Sequence, residues 1–200
     1  MNNILNKDTH MKQEILLTNE DYVRGVTLID NNLQSKFILS AIREAQDVGL
    51  QEIFGGVLFK KLKTMIADGS IQDSGNTAYK TLIDESQLYL AYKSVANLCL
   101  ITNVKISNGG LQMTSDENLT VLNVDDTFTI QKHFEDKADF FAKRLQQFIL
   151  ANVEDYPEIS ESRCNEMKAN LYSAASTSVF LGGARGRSRY CSLFPPYIGK

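Results

Sequence analysis

The chain has 200 residues, 43% of them hydrophobic and 22% charged, with a formal net charge of −3. That length predicts one domain, or one domain with an arm, and the apolar share supplies a core even without Trp. No apolar run approaches the roughly 20 residues of a membrane span, and "MNNILNKDTHMKQEILL" lacks the basic and apolar regions of a secretory signal, so the sequence predicts a cytoplasmic product.

Residues 1–17 carry little pattern and are expected to form a flexible lead-in. "TNED" marks a helix start at Thr18, whose side chain would accept from the backbone near Asp21, with Glu20 and Asp21 suited to the positive helix end. This first helix ends near Gly25. In "NNLQSKFILSAIREAQDVG", Leu33, Phe37, Ala41, Ala45 and Val48 recur at intervals of four and three, predicting a long helix capped by Asn31 or Asn32 and terminated at Gly49. A further helix runs roughly from Gly55 to Ala67, with Val57, Leu58, Leu62, Met65 and Ile66 inward, and "DGSIQDSGN" is a polar loop.

From Thr77 to Thr102 the apolar residues, among them Leu82, Ile83, Leu88, Leu90, Tyr92, Val95, Ala96, Leu98 and Cys99, occupy nearly the whole circumference. A helix apolar all round belongs at the centre of the packing. The period then changes: Val104 and Ile106 alternate before "SNGG", where Asn108-Gly109 favours a tight turn and predicts a hairpin near 104–113. "TSDENLTVLNVDD" reads as a loop or a ragged strand pair. A last helix spans about Thr127 to Asn152, with Phe134, Ala138, Phe141, Leu145 and Phe148 on one face, and "EDYPE" ends it.

The expected fold is therefore mainly α: four to five helices with one β-hairpin insertion, forming a domain over 18–157, then an extended basic and aromatic arm over 158–200. Charge divides the same way. From Glu161 onward six basic and two acidic residues give +4, and the preceding 160 residues carry −7. A basic tail on an acidic body suggests that the tail binds something negative, including another copy of the body.

Chemistry is sparse. His10 lies in the lead-in and His133 has no Cys or second His nearby, so both read as ordinary surface histidines. The pairs Glu20-Asp21 and Asp125-Asp126 sit at expected helix starts, where they satisfy free N–H groups. Cys99, Cys164 and Cys191 form no CxxC or Cys/His cluster, which argues against zinc. Cys99 reads as a small core residue, and a Cys164–Cys191 bridge stays open, though a reducing compartment disfavours it. "GGARGRSR" lacks the spacing and the strand-helix context of a phosphate loop. No nucleophile, base and orienter belong together and no cofactor motif is present, so the reading is neither an enzyme nor a cofactor binder.

The end of the chain, "STSVFLGGARGRSRYCSLFPPYIGK", carries the candidate interaction residues. Arg185, Arg187 and Arg189 alternate, so in an extended chain they point to one side, a comb suited to carboxylates or phosphates. Phe194, Tyr197 and Ile198 are costly to leave in water, and the adjoining prolines stiffen the segment before it docks.

In order and spacing the chain resembles a phage protein family, the head-to-tail connectors (adaptor or ring proteins) of crAss-like and related Bacteroidales phages. The resemblance runs over most of residues 15–190. It rests on "LTNEDY", "FILSAIREAQDVGLQEIFGGVLFKKL", "NVKISNGGLQ", "FEDKADFFAKRLQQFILAN" followed by "YPE", and "VFLGGARGR". The stretch from Met113 to Asp126 and the end after Arg189 fall outside it. The resemblance implies a helical adaptor-like bundle, made in the host bacterial cytoplasm and incorporated into the virion at the portal vertex. Copies would form a ring, commonly of twelve, with the genomic DNA passing through the lumen without specific recognition. Partners would be sister subunits, the portal protein and other connector or tail proteins, with no membrane. The terminal arm would reach a neighbour or the portal, carrying Arg185, Arg187 and Arg189 with it. The alternative is a small nucleic-acid-binding module that uses the arginine comb, which the acidic body disfavours.

Overall fold

The computed structural model describes residues 14–107, 110–113, 124–159 and 166–171. The chain is mainly helical. Helix α1 spans Glu20–Val26, α2 Ser35–Glu44, α3 Gln51–Ala67, α4 Thr77–Asn103 and α5 Val124–Ala151. Strands β1, Val104–Ser107, and β2, Gly110–Met113, pair antiparallel, with Val104 opposite Met113 and Ser107 opposite Gly110.

Helices α4 and α5, each roughly 40 Å long at 1.5 Å per residue, form the central pair. Ala138, Leu145 and Ile149 of α5 are buried, and Tyr92 stacks on Phe141 at 5.3 Å between ring centroids. The salt bridges Arg144–Glu85 (3.0 Å) and Lys93–Glu135 (3.7 Å) edge this contact. Ala91 and Leu98 of α4 instead pack with Ile38, Ala41 and Ile42 of α2 and with Val23 of α1. At 100° per residue, the α2-facing and α5-facing sets lie on opposite sides of α4. The all-round apolar pattern of α4 is thus used in full. Ser86 and Ser94 are buried within it because each donates to a carbonyl of its own helix, Ile83 O at 2.7 Å and Leu90 O at 2.6 Å.

Several local expectations are corrected. Asn19, not Thr18, caps α1, accepting from the Tyr22 N–H at 2.7 Å, which leaves Thr18 buried. Neither Asn31 nor Asn32 caps α2; the helix begins at Ser35 after Gln34, which makes no side-chain capping bond. Gly49 does not end a helix. Residues Ala45–Leu50 widen into a π-helical segment that continues into α3. The wider turn shifts the phase of the stripe, so Val48 is turned out to solvent and Gln46 is fully buried in its stead. Glycine at 49 is required by close approach, because a Cβ there would fall on the Tyr89 hydroxyl. The real break comes at Gly55 (φ 76°, ψ 163°), so the second helical stretch begins where the sequence suggested. Cys99 is half-buried, and burial pushes its thiol pKa up.

Described residues on both sides of 18–157 pack against the helices. The lead-in is docked from Ile15 to Thr18: the buried Gln46 side chain accepts from the Leu17 N–H at 2.8 Å and donates to Ile15 O at 3.1 Å. Beyond 157, Pro157–Ile159 forms a 3-10 turn with Glu158 buried, and residues 166–171 lie against the body. Neither segment has a period of its own, so neither is visible as packed structure in the sequence.

Candidate assembly surfaces

The candidate interaction residues Arg185, Arg187, Arg189, Phe194, Tyr197 and Ile198 lie outside the described residues, as do His10, Cys164 and Cys191. What is described is the strap that leads toward them. Residues 166–171 cross α3 at its Gly55 break, where the interrupted helix leaves backbone groups free to bond elsewhere. The Gly56 N–H donates to Met167 O at 2.7 Å, and the Asn170 N–H donates to Glu52 O at 2.9 Å. Asn170 Nδ2 donates to Glu52 Oε1 at 2.9 Å, and Gln146 of α5 donates to Asn170 O at 2.8 Å. Lys60 pairs with Glu166 at 2.8 Å. A Cβ at Gly55 would lie 2.7 Å from Ala169 N and 3.1 Å from Met167 O, so only glycine admits the strap this closely.

A second fastening holds the end of α5. Tyr156 is buried, donates to Ala78 O at 3.1 Å and meets Tyr79 edge-on at 5.8 Å. Beside it the Lys61 ammonium bonds the Glu158 carboxylate and the Tyr79 hydroxyl, the latter at 2.7 Å, and sits 4.2 Å from the Tyr79 ring centre. Burial is the largest single influence and works to raise the Glu158 pKa, but the bonds from Lys61, the backbone and Tyr79, with the Lys61 charge, together hold the carboxyl below its ordinary value. Burial likewise works to lower the Lys61 pKa, and the bonds to Glu158 and Tyr79 with the charges of both together raise it on balance. Burial pushes the Tyr156 hydroxyl up to about 12. This cluster is a neutralised structural clamp, brought together from residues up to 97 positions apart, which no local motif could announce.

The outer flanks are apolar in places. Leu28, just after α1, is 96% exposed and Val48, in the π-helical segment, 67%; on α5, Phe140 is 64% exposed and Phe128 53%. His133 is exposed, with its ring edge-on to Phe134. Among the described residues no group of three or more His, Cys, Asp or Glu could hold a metal ion, and no helix is long and apolar enough to cross a membrane. The acidic pairs Glu20-Asp21 and Asp125-Asp126 occupy the first turns of α1 and α5.

Two clefts flank the docked lead-in. One, of about 390 Å³, is lined by residues from Leu16 to Asn19 together with Tyr22, Asp84 and Gln87. The other, of about 360 Å³, lies between residues 14–16 and the end of α3 at Ile66 and Ala67. In the first cleft the buried Thr18 Oγ1 has no hydrogen-bond partner among the described residues.

Neither the curated proteins nor the solved structures compared with the chain gave a match. A family profile described as "Family of unknown function (DUF6712)" matches residues 50–169, from the end of the π-helical segment to the middle of the strap. With more than half its length inside that match, the chain belongs to the DUF6712 family.

Proposed function

We propose that this chain is a head-to-tail connector subunit of a tailed-phage virion, one wedge of a ring below the portal through which the genome passes. The observation that carries the reading is the exposure of large apolar side chains on separate elements, with Leu28 after α1 and Val48 in the π-helical segment on the one hand and Phe128 and Phe140 on α5 on the other. Two unlike sticky flanks fit a head-to-tail interface, and such an interface closes into a ring when its rotation allows. A single self-complementary patch, as in a two-fold dimer, would need no second flank. The resemblance to phage connectors in the order of its sequence blocks supports the same reading.

In this reading the β1–β2 hairpin is an insertion that projects from one end of the α4–α5 pair. The residues beyond the strap form an extended arm whose arginines and Phe194, Tyr197 and Ile198 grip a sister subunit, the portal or an adjoining ring. Genomic DNA slides past an acidic body with weak, non-specific contacts.

Imaging of the portal vertex of purified particles tests the assignment. This chain is expected there as a ring. Phe140→Asp should leave the monomer folded, as judged by circular dichroism and thermal unfolding, and remove it from the ring. Deleting residues 176–200 should likewise leave a folded monomer that fails to join the portal. Absence of the chain from particles, or undiminished incorporation of both variants, overturns the reading. Strong, salt-dependent DNA binding by the isolated chain would favour the nucleic-acid module instead.

A further inference from the structure

We infer that the cleft formed by Leu16, Thr18, Asn19, Tyr22, Asp84 and Gln87 receives an arginine from the C-terminal arm of a second copy of the chain. The inference rests on the ring reading for its biological setting, but its support is local to the cleft.

The cleft is asymmetric in charge. Its lining holds one carboxylate, Asp84, and no basic residue. Asp84 makes no ion pair with a described residue, whereas Arg24 nearby is engaged by Glu20 at 2.7 Å and by the carbonyls of Asp30 and Leu33. The field of Asp84 reaches the Tyr22 hydroxyl, whose pKa is raised first by burial and then by this carboxylate. An uncompensated negative site beside an aromatic ring is chemistry that a guanidinium matches, by paired N–H donors to the carboxylate and by its flat face to the ring.

The second observation is Thr18. The residue is 5% exposed and lines the cleft, and its hydroxyl has no partner among the described residues. A buried unpaired hydroxyl costs about 1–3 kcal/mol, and a donor-rich side chain inserted at this point would satisfy it. Around it the cleft is already pre-shaped: Gln87 donates to Leu17 O at 2.8 Å, and Gln46 fixes the N–H of the same residue. At about 390 Å³ the cavity lies at the small end of the usual ligand-pocket range of roughly 300–1,000 Å³, which suits one side chain and its backbone better than a cofactor.

The occupant follows from charge and placement. The last forty residues carry +4 and include arginines at 185, 187 and 189, against −7 on the rest of the chain. The strap ends on Gln146 of α5, whereas Asp84 and Gln87 are on the α2-facing side of α4. In a head-to-tail arrangement, a chain leaving one subunit on its α5 flank meets the α1–α2 flank of the next. The cleft lies there.

The test uses a full-length chain carrying Arg185→Ala, Arg187→Ala and Arg189→Ala, which keeps the acceptor cleft empty of its own arginines, and a synthetic peptide of residues 176–200 as probe. Titration followed by amide chemical shifts is expected to perturb Thr18, Asn19, Tyr22, Asp84 and Gln87. Adding Asp84→Asn should weaken binding about tenfold without shifting the thermal midpoint, because Asp84 is exposed. Equal binding by a peptide with alanine at 185, 187 and 189, perturbations centred elsewhere, or no binding up to millimolar peptide overturns the inference. In the unmodified chain the same shifts must grow with protein concentration; concentration-independent shifts mean that the arm occupies its own cleft and also overturn it. Rings formed without peptide binding would sink this inference alone, and peptide binding by a chain missing from particles would sink the ring reading alone.

Discussion

Replacing Gly55 with alanine tests how the end of the folded body is fastened. Gly55 sits at φ 76° and ψ 163°, a region open essentially to glycine, where another residue is strained by about 1–3 kcal/mol. The added Cβ would meet Ala169 N at 2.7 Å and Met167 O at 3.1 Å. Both are backbone atoms, so no side-chain rotation relieves the overlap. The strap is held by hydrogen bonds worth roughly 0.5–1.5 kcal/mol each, and its release returns backbone freedom of about 1–2 kcal/mol per residue. Letting go therefore costs less than compressing the contact. Gly55→Ala should lower global stability by about 1–3 kcal/mol, which for a chain of this size is roughly 2–12 °C in the thermal midpoint. Hydrogen exchange should show the Gly56 and Asn170 amides losing protection while the α4 amides keep theirs. Gly56→Ala is the internal control. Its Cβ would meet nothing closer than 3.5 Å, and alanine in a helix gains up to about 1 kcal/mol over glycine. If Gly55→Ala unfolds with the unchanged midpoint and the Asn170 amide stays protected, the account of the break is wrong.

The Lys61–Glu158 clamp carries a pH signature. The folded-state pKa of Glu158 is depressed, so its contribution is complete above the ordinary carboxylate value and is lost as pH falls through the lower folded value. Urea midpoints of the wild type and Glu158→Gln should therefore differ near neutrality and converge below about pH 4; a gap that widens in acid contradicts the assignment. Near neutrality Lys61→Met should cost about 1–3 kcal/mol, less than for a fully buried pair because 39% of the Lys61 side chain is in water. Gln46→Ala leaves the Leu17 N–H without its acceptor and should cost about 1–3 kcal/mol, with faster exchange of the Leu17 amide as the readout. Gly49→Ala should destabilise by about 1–3 kcal/mol through overlap with the Tyr89 hydroxyl, and Tyr89→Phe should recover most of that in a double-mutant cycle.

The helices that bury the most apolar surface were the most legible. Leu82, Leu90 and Leu98 recur every eight residues in α4, and Ala138 and Leu145 mark α5; a period sustained over seven turns leaves little choice. The π-helical segment was not legible, because a widened turn changes phase without changing composition. Val48 fits an α-helical stripe as well as any residue in it, and Gln46 gives no sign of being buried until the Ile15 and Leu17 backbone groups are seen on its amide. The strap "EMKANL" has no period of its own; it is held by main-chain bonds, by Asn170, by the Glu166–Lys60 pair and by Leu171 against the core. Its single signal was the adjacent pair Gly55-Gly56 inside a helical pattern, which marks either a break or a close backbone approach. Here it marks both. The arginine comb and the Phe194 anchor remain readings of sequence, and the cleft at Asp84 could not have been found there, because residues 16–22 and 84–87 meet only through the fold.

The two irregularities in the α2–α3 rod have a common consequence. A regular helix spends its backbone groups on itself and presents only side chains. The π-helical segment turns a glutamine inward to grip residues 15 and 17, and the Gly55 break turns an N–H outward to grip Met167. The two ends of the described chain are thus anchored on one rod, nine residues apart at Gln46 and Gly55. Straightening the rod would leave the α4–α5 pair intact and release both anchors together. This fixes where residues 15–17 and 166–170 sit on the body. It also explains why two local departures from ideal helix geometry, each costly alone, persist side by side in one element.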